Sequence, residues 1–367
     1  MNNYSMYLPS YTVGEKAYDK IGEICSQYGK TAVVIGGEKA MKAARTLLDE
    51  AVASAGIKIN EYLHFGGECS YGNANILAAN RLVQKSDMIF AVGGGKATDT
   101  AKCVGEIAEK PVFSFPTIAS NCSCCTSVSI MYTEEGVFVE PHFFEKPPVH
   151  AFINTDIIVQ SPVKYMWAGI GDTYAKYYEA TVSSCGEELE HFTALGVAAS
   201  TMCLEPLLKN GCKALSDNKR HIASYEFQQA VLAITVSTAL VSIFVTRDHT
   251  PDYNSGLAHA VFYALTAIKS IEEKHLHGEV VAFGVLILLL CDKNYAEFER
   301  IYKFNSIVGL PVSITDLELT KAQIKEVLPR IAQMPDIKHY PYAVTVQMLE
   351  EAFGYLDEYS GKNASAE

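Results

Sequence analysis

The sequence predicts an α/β protein in two parts: an N-terminal domain with a mostly parallel, Rossmann-like sheet over residues 1–162, then an all-α helical bundle over residues 163–367. Up to about residue 160, short apolar runs alternate with helical patterns. Strands separated by helices imply right-handed crossovers and a parallel sheet. After Ser161-Pro162 nearly every stretch has helical period, punctuated by Gly169-Ile-Gly171, Gly211, Pro251, Gly278, Pro311, Pro329 and Pro335.

Taken in order, β-branched Thr31-Ala-Val-Val-Ile35 is the first strong strand, ending at Gly36-Gly37, and an amphipathic helix follows to about Ala55. Ile57 to Phe65 reads as a strand, Asn73 to Lys85 as a helix, and Asp87 to Val92 as a strand running into Gly93-Gly94-Gly95. A helix over Ala97 to Ala108 and a strand over Pro111 to Pro116 complete the pattern. The polar tail after Gly361 is expected to fray.

Composition bounds the function. With 49% hydrophobic and 20% charged residues in 367, the chain has an ordinary globular balance and length enough for a sizeable core. A net charge of −12 argues against nucleic acid or an anionic membrane as the main partner. The ten cysteines are scattered, and the opening MNNYSMYLPSYTV lacks a charged-then-apolar signal region. A reducing cytoplasm is therefore expected. The longest apolar-rich run, Ala230 to Thr246, has 17 residues including Thr235, Ser237, Thr238 and Ser242. A membrane span needs about 20, so the run reads as a buried helix.

Gly93-Gly94-Gly95-Lys96-Ala97-Thr98-Asp99 follows a strand and opens a helix. Such a turn lets backbone N–H groups approach an anion, and the helix N-terminus adds partial positive charge, so a pyrophosphate is the natural guest. A tight turn needing positive φ would explain the glycines alone; Lys96 and Asp99 are what a plain turn does not need. At the end of the first strong strand, a carboxylate would select an unphosphorylated adenosine ribose. Gly37 stands there instead, beside Glu38 and Lys39, which leaves room for a 2′-phosphate and favours NADP over NAD. Glu38 equally suits a helix start.

In the helical half, Asp172, His259 and His277 are candidate metal ligands. The histidines are 18 residues apart, which on one straight helix would separate them by about 27 Å. To share an ion, the chain must double back between them, and Lys269-Ser-Ile-Glu-Glu-Lys274 is where it could turn. Two imidazoles and a carboxylate leave an open coordination position, as catalytic sites do. His275 competes with His277 as a ligand. The cluster Asn121-Cys122-Ser123-Cys124-Cys125-Thr126 offers three thiols but no fourth ligand at a familiar spacing, so small residues packing under a cofactor are the better reading.

Together these segments resemble the glycerol dehydrogenase group of the iron-containing (group III) alcohol dehydrogenase family, whose fold is shared by dehydroquinate synthases. The resemblance runs in order through Val34-Ile-Gly-Gly37, Gly93 to Lys102, Pro116-Thr-Ile-Ala-Ser120, Ala168 to Ala180, and His277-Gly-Glu-Val-Val-Ala-Phe-Gly284. It implies a nucleotide-binding domain, a helical domain, and a Zn2+ or Fe2+ ion in a cleft between them. By matching position, Gly94, Gly95, Lys96, Asp99, Thr117, Ser120 and Tyr132, with Thr126 and Val128, would line NADP or NAD, while Asp172, His259 and His277 would hold the metal. A small-molecule substrate and a homo-oligomer are expected.

The departures narrow the reading. The polyol-contacting Asp of glycerol dehydrogenases matches Cys122, and the segment with a second histidine reads His259-Ala-Val-Phe262-Tyr263. Cys122, the Gly37-Glu38-Lys39 segment and His339-Tyr-Pro look more like hydroxycarboxylate dehydrogenases, NADPH-linked reductases of short 2-oxo acids. Losing a carboxylate makes an anionic substrate electrostatically easier. The expected activity is metal-dependent hydride transfer between NAD(P)(H) and a small hydroxy or carbonyl compound, either a 2-hydroxy/2-oxo acid or a polyol such as glycerol. The alternatives are a dehydroquinate-synthase-like lyase, which would need more Lys and Arg around Asp172 and His259, and a cofactor-binding protein without turnover.

Overall fold

A computed structural model describes residues 3–250 and 252–364 of the chain. It divides into two compact units, Met1–Tyr165 with Ser216–Ile243, and Met166–Leu215 with Phe244–Glu367. Residues 216–243 belong with the first unit. Asn218 Nδ2 donates to the carbonyls of Val159 and Ser161 at 2.8 and 3.1 Å, and the His221 ring meets Val159 O at 3.1 Å.

The first unit carries strands β1 (Tyr11–Val13), β2 (Thr31–Gly36), β3 (Lys58–His64), β4 (Met88–Gly93), β5 (Val112–Pro116), β6 (Val128–Tyr132), β7 (Phe138–Phe143) and β8 (His150–Ile153). Six of them form a sheet in the order β1-β8-β5-β4-β2-β3 with every pair parallel, and β6 and β7 form a separate antiparallel hairpin. The central strands β4, β5 and β8 are buried at every position, as helix-covered parallel strands must be. Their side chains alternate between two cores. Val34, Phe90, Phe113, Phe115 and Phe152 pack on one face with Ile21 and Leu48, while Val33, Ile35, Ile89 and Ala91 pack on the other with Leu77 and Val104.

From β2 the chain crosses outward to β3, whereas from β4 it crosses the other way to β5. The ends of β2 and β4 therefore flank the reversal point of the sheet, where ligands of doubly wound folds bind. These two ends are the two glycine turns. Only glycine fits at Gly36, since a Cβ there would lie 2.3 Å from Val92 O.

Two local expectations change. The stretch read as one helix over Asn73 to Lys85 is two, Tyr71–Ala78 and Arg81–Lys85, because Asn80 accepts from Leu82 N and starts the second. The tail expected to fray after Gly361 is helical through Ala364, and residues 365–367 lie outside the described residues. The apolar run beginning at Ala230 sits in Tyr225–Val245, a segment of 21 residues long and apolar enough to cross a membrane, with 72% of its most apolar window buried in the protein.

The second unit is helical. Its elements include most of Val163–Ser183, with Leu257–Leu265, Lys269–Lys274, His277–Cys291, Tyr295–Val308, Lys321–Ile331 and Val346–Ala364. His277–Cys291 is buried almost all round, from Gly278 through Cys291 except Glu279, which marks it as the central helix. Glycines let its neighbours come close. A Cβ on Gly278 would lie 2.0 Å from Ala168 O, one on Gly171 2.3 Å from Gly278 O, and one on Gly284 2.5 Å from Ala258 O. Backbone-to-backbone approach of this kind brings together side chains distant in sequence.

Candidate metal centre and nucleotide loop

Asp172 stands midway along Val163–Ser183, His259 in the first turn of Leu257–Leu265, and His277 at the start of His277–Cys291. Between the histidines the chain reverses around the short helix Lys269–Lys274. One ligand atom from each of Asp172, His259 and His277 lies within 4.8 Å of the other two, the only such group of three His, Cys, Asp or Glu side chains among the described residues. Asp172 Oδ1 is 3.2 Å from His277 Nε2 and 3.5 Å from His259 Nε2. Donors sharing one ion through bonds of about 2.1 Å at tetrahedral angles sit about 3.4 Å apart, so the set fits a divalent ion. His275 is not part of it. Its Nδ1 pairs with Glu279 Oε1 at 2.8 Å, and Glu279 Oε2 accepts from Leu276 N at the start of the His277 helix.

Glu179, which the sequence reading passed over, orients the cluster. It is fully buried, and its Oε1 accepts from the backbone N–H of Gly256 and of His259 at 2.8 and 2.9 Å. Its Oε2 meets His259 Nδ1 at 2.7 Å. One carboxylate thus satisfies orphan donors at a helix start and fixes the imidazole with its Nδ1–H toward Glu179 and Nε2 turned outward. Tyr340 Oη takes the Leu257 N–H at 2.7 Å. Burial alone would lower the His259 pKa, but Glu179 and Asp172 outweigh it and push it up to about 10. Burial would raise the Asp172 carboxyl, yet His277 and His259 hold it far below the usual carboxylate range. In place of the second histidine expected of a glycerol dehydrogenase, Phe262 sets its ring edge-on to His277, with centroids 4.3 Å apart.

In the first unit, Gly93 has φ of +153° and Gly94 precedes the helix Gly95–Ile107. A Cβ on Gly94 would lie 2.6 Å from the Ile118 side chain. The N-terminus of this 13-residue helix carries no acidic residue in its first turn. Thr117 N returns to Gly93 O at 3.2 Å, which joins the Pro116–Ser120 turn to the loop. Lys96 is half exposed, pairs with Glu68 at 2.5 Å, and lies 5.1 Å from the Tyr132 ring centroid.

Asp99 faces inward. Its Oδ1 accepts from Ser123 Oγ at 2.5 Å and Lys102 Nζ at 2.8 Å, and its Oδ2 accepts from Ile130 N at 3.2 Å. The buried Lys102, a second residue the sequence reading missed, also donates to the carbonyls of Ser123 and Val128 at 3.1 and 2.5 Å. This pair holds the 123–130 segment, with Thr126 and Val128, against the glycine helix. Cys122 is partly exposed beside buried Cys124 and Cys125, and none of the ten cysteines forms a disulfide. Gly37 is extended and precedes the helix Glu38–Ser54, so Glu38 does begin a helix. Ser120 is partly buried.

Comparison with known proteins agrees with this architecture. The model of the family described as iron-containing alcohol dehydrogenase matches residues 9–153. The chain belongs to this family and is an enzyme of the alcohol and hydroxycarboxylate dehydrogenase class. Among its relatives, a glycerol dehydrogenase of Thermotoga maritima is 32% identical over 324 residues, covering 84% of this chain and 83% of that one. Hydroxycarboxylate dehydrogenase A of Escherichia coli K12 is also 32% identical, over 337 residues, covering 89% and 90%. The crystal structure of glycerol dehydrogenase from Schizosaccharomyces pombe shares the fold with a TM-score of 0.85, at 24% identity over 99% of this chain and 92% of that one.

Proposed function

We propose that this dehydrogenase moves a hydride between NAD(P)(H) and a small hydroxy or carbonyl compound whose oxygen is held at the Asp172–His259–His277 cluster. The convergence of these three ligand atoms within 4.8 Å carries the reading. A divalent ion there, Zn2+ or Fe2+ by donor type, would supply Lewis-acid polarisation of the substrate oxygen. The chain's own work is positional. Glu179 keeps the proton on His259 Nδ1, so that Nε2 presents its lone pair, and the glycine contacts of Gly171 and Gly278 set the spacing of Asp172 and His277.

For the nucleotide, the N-terminal turn of Gly95–Ile107 offers backbone donors to a pyrophosphate, with Gly94, Gly95 and Lys96 around it. Thr117, Ser120, Thr126, Val128 and Tyr132 would line the dinucleotide. Asp99 would act through the 123–130 segment, since its carboxylate is taken up inside the protein. Gly37 would admit the 2′-phosphate of NADP. Cys122 would stand in the substrate pocket, a homo-oligomer would be the working form, and the cytoplasm its compartment.

Metal analysis combined with a scan of NADH and NADPH oxidation against 2-oxo acids, dihydroxyacetone and aldehydes tests this. Turnover that needs stoichiometric zinc or iron is expected. Reduced nucleotide persisting with every carbonyl while metal is bound would leave a binding protein without turnover.

A further inference from the structure

Lys176 lies one turn beyond Asp172 on the helix Val163–Ser183, and Glu179 follows three residues later. Spacings of four and seven put all three on one stripe, with neighbouring Cβ atoms about 6 Å apart. Lys176 is 6% exposed. Its ammonium donates to Asn254 O and, at 3.0 Å, to Asn254 Oδ1. No carboxylate among the described residues pairs with it.

A buried ammonium without a counter-charge is costly unless something completes its shell. Asn254 supplies two neutral oxygens, which hold the group without neutralising it, and an ammonium has three N–H donors. One donor and the whole charge remain for a ligand.

We infer that Lys176 is a specificity-determining residue that anchors the carboxylate of a short 2-oxo or 2-hydroxy acid whose oxygen sits at the three-ligand cluster. This rests on the dehydrogenase reading and narrows its substrate class. A purely structural lysine, tethering the segment before the His259 helix, would serve charged and neutral substrates alike.

The test compares 2-oxobutyrate with its neutral analogue 1-hydroxy-2-butanone on the zinc-loaded full chain with NADPH. Lys176→Met is expected to lower the kcat/KM ratio of anion over neutral ketone about 100-fold, the scale of a lost charge-assisted hydrogen bond. Lys176→Arg should retain more of the ratio than Met does. An equal fall on both substrates, or an unmoved ratio, overturns the assignment. Calorimetric titration with oxamate gives a readout independent of turnover: its Kd should weaken about 100-fold in Lys176→Met, and equal Kd values overturn the assignment. If the Met protein does not fold, Lys176→Gln takes its place in both measurements. Failure of the dehydrogenase reading looks different, since then no carbonyl is reduced while oxamate binding still reports on Lys176.

Discussion

In the first unit the proposed nucleotide surface is backbone: Gly93, Gly94 and Gly95 clear the way to the start of a helix, and the charged pair Asp99–Lys102 is turned inward as a brace. In the second unit the candidate ligand atoms are side chains, and the glycines Gly171, Gly278 and Gly284 are the brace, allowing three helices to close up. The roles of glycine and charge are exchanged between the two. A substitution in either unit should therefore act through a different quantity, nucleotide binding in one and metal binding in the other.

The largest expected effect separates the two. His277→Ala should weaken zinc binding roughly a thousandfold or more, while NADPH affinity stays within about twofold; unchanged zinc content would show that the cluster is not the metal site. Next, Lys102→Met strips the brace from Asp99 while both are buried, with side chains 3% and 10% exposed. A loss of about 3 kcal/mol in unfolding free energy is expected, together with weaker NADPH binding. A variant as stable as the parent would mean that the pair is not a brace.

Glu179→Gln keeps an oxygen for the Gly256 and His259 N–H groups but turns an amide donor toward His259 Nδ1. Zinc affinity should fall about 10- to 100-fold, and equal chelator competition by both proteins would reject the orienting role. Acidity supplies a fourth check. Glu179 and Asp172 push the His259 pKa up to about 10, so binding of an ion at Nε2 competes with a proton. Apparent zinc affinity should therefore rise about tenfold per pH unit between roughly pH 7 and 9, the slope for one released proton. A flat profile in calorimetry would contradict the raised pKa of His259.

The smallest effect belongs to the nucleotide unit. A Cβ on Gly37 would meet Phe65 ring carbons at 3.5 and 4.0 Å, ordinary contacts, so Gly37→Asp is accommodated. It should move the NADPH-to-NADH preference about tenfold toward NADH by placing a carboxylate against a 2′-phosphate. An unaltered ratio would remove Gly37 from cofactor selection.

Legibility followed distance along the chain. The strands β2 and β4 with their glycine ends were readable because β-branched runs, glycines and helix starts are contiguous. The candidate metal ligands were readable only by residue type and by the demand that the chain double back, which it does around Lys269–Lys274. Glu179 and Lys102 lay within recognised stretches, yet their spacing, seven residues from Asp172 and three from Asp99, signals a shared helix face and not a partner. What each touches depends on long-range packing. Strands β1, β6, β7 and β8 were missed, β1 and β8 because three or four residues show too little alternation, and the division of residues 216–243 from the rest of the helical half depends on tertiary contacts alone.

Glu179 clamps an imidazole and the first turn of its helix with the same two oxygens. The orientation of the ring and the start of the helix thereby depend on one side chain. Dialysis against a chelator should then empty the protein without refolding it, and zinc, cobalt or iron should exchange through the same rigid mould.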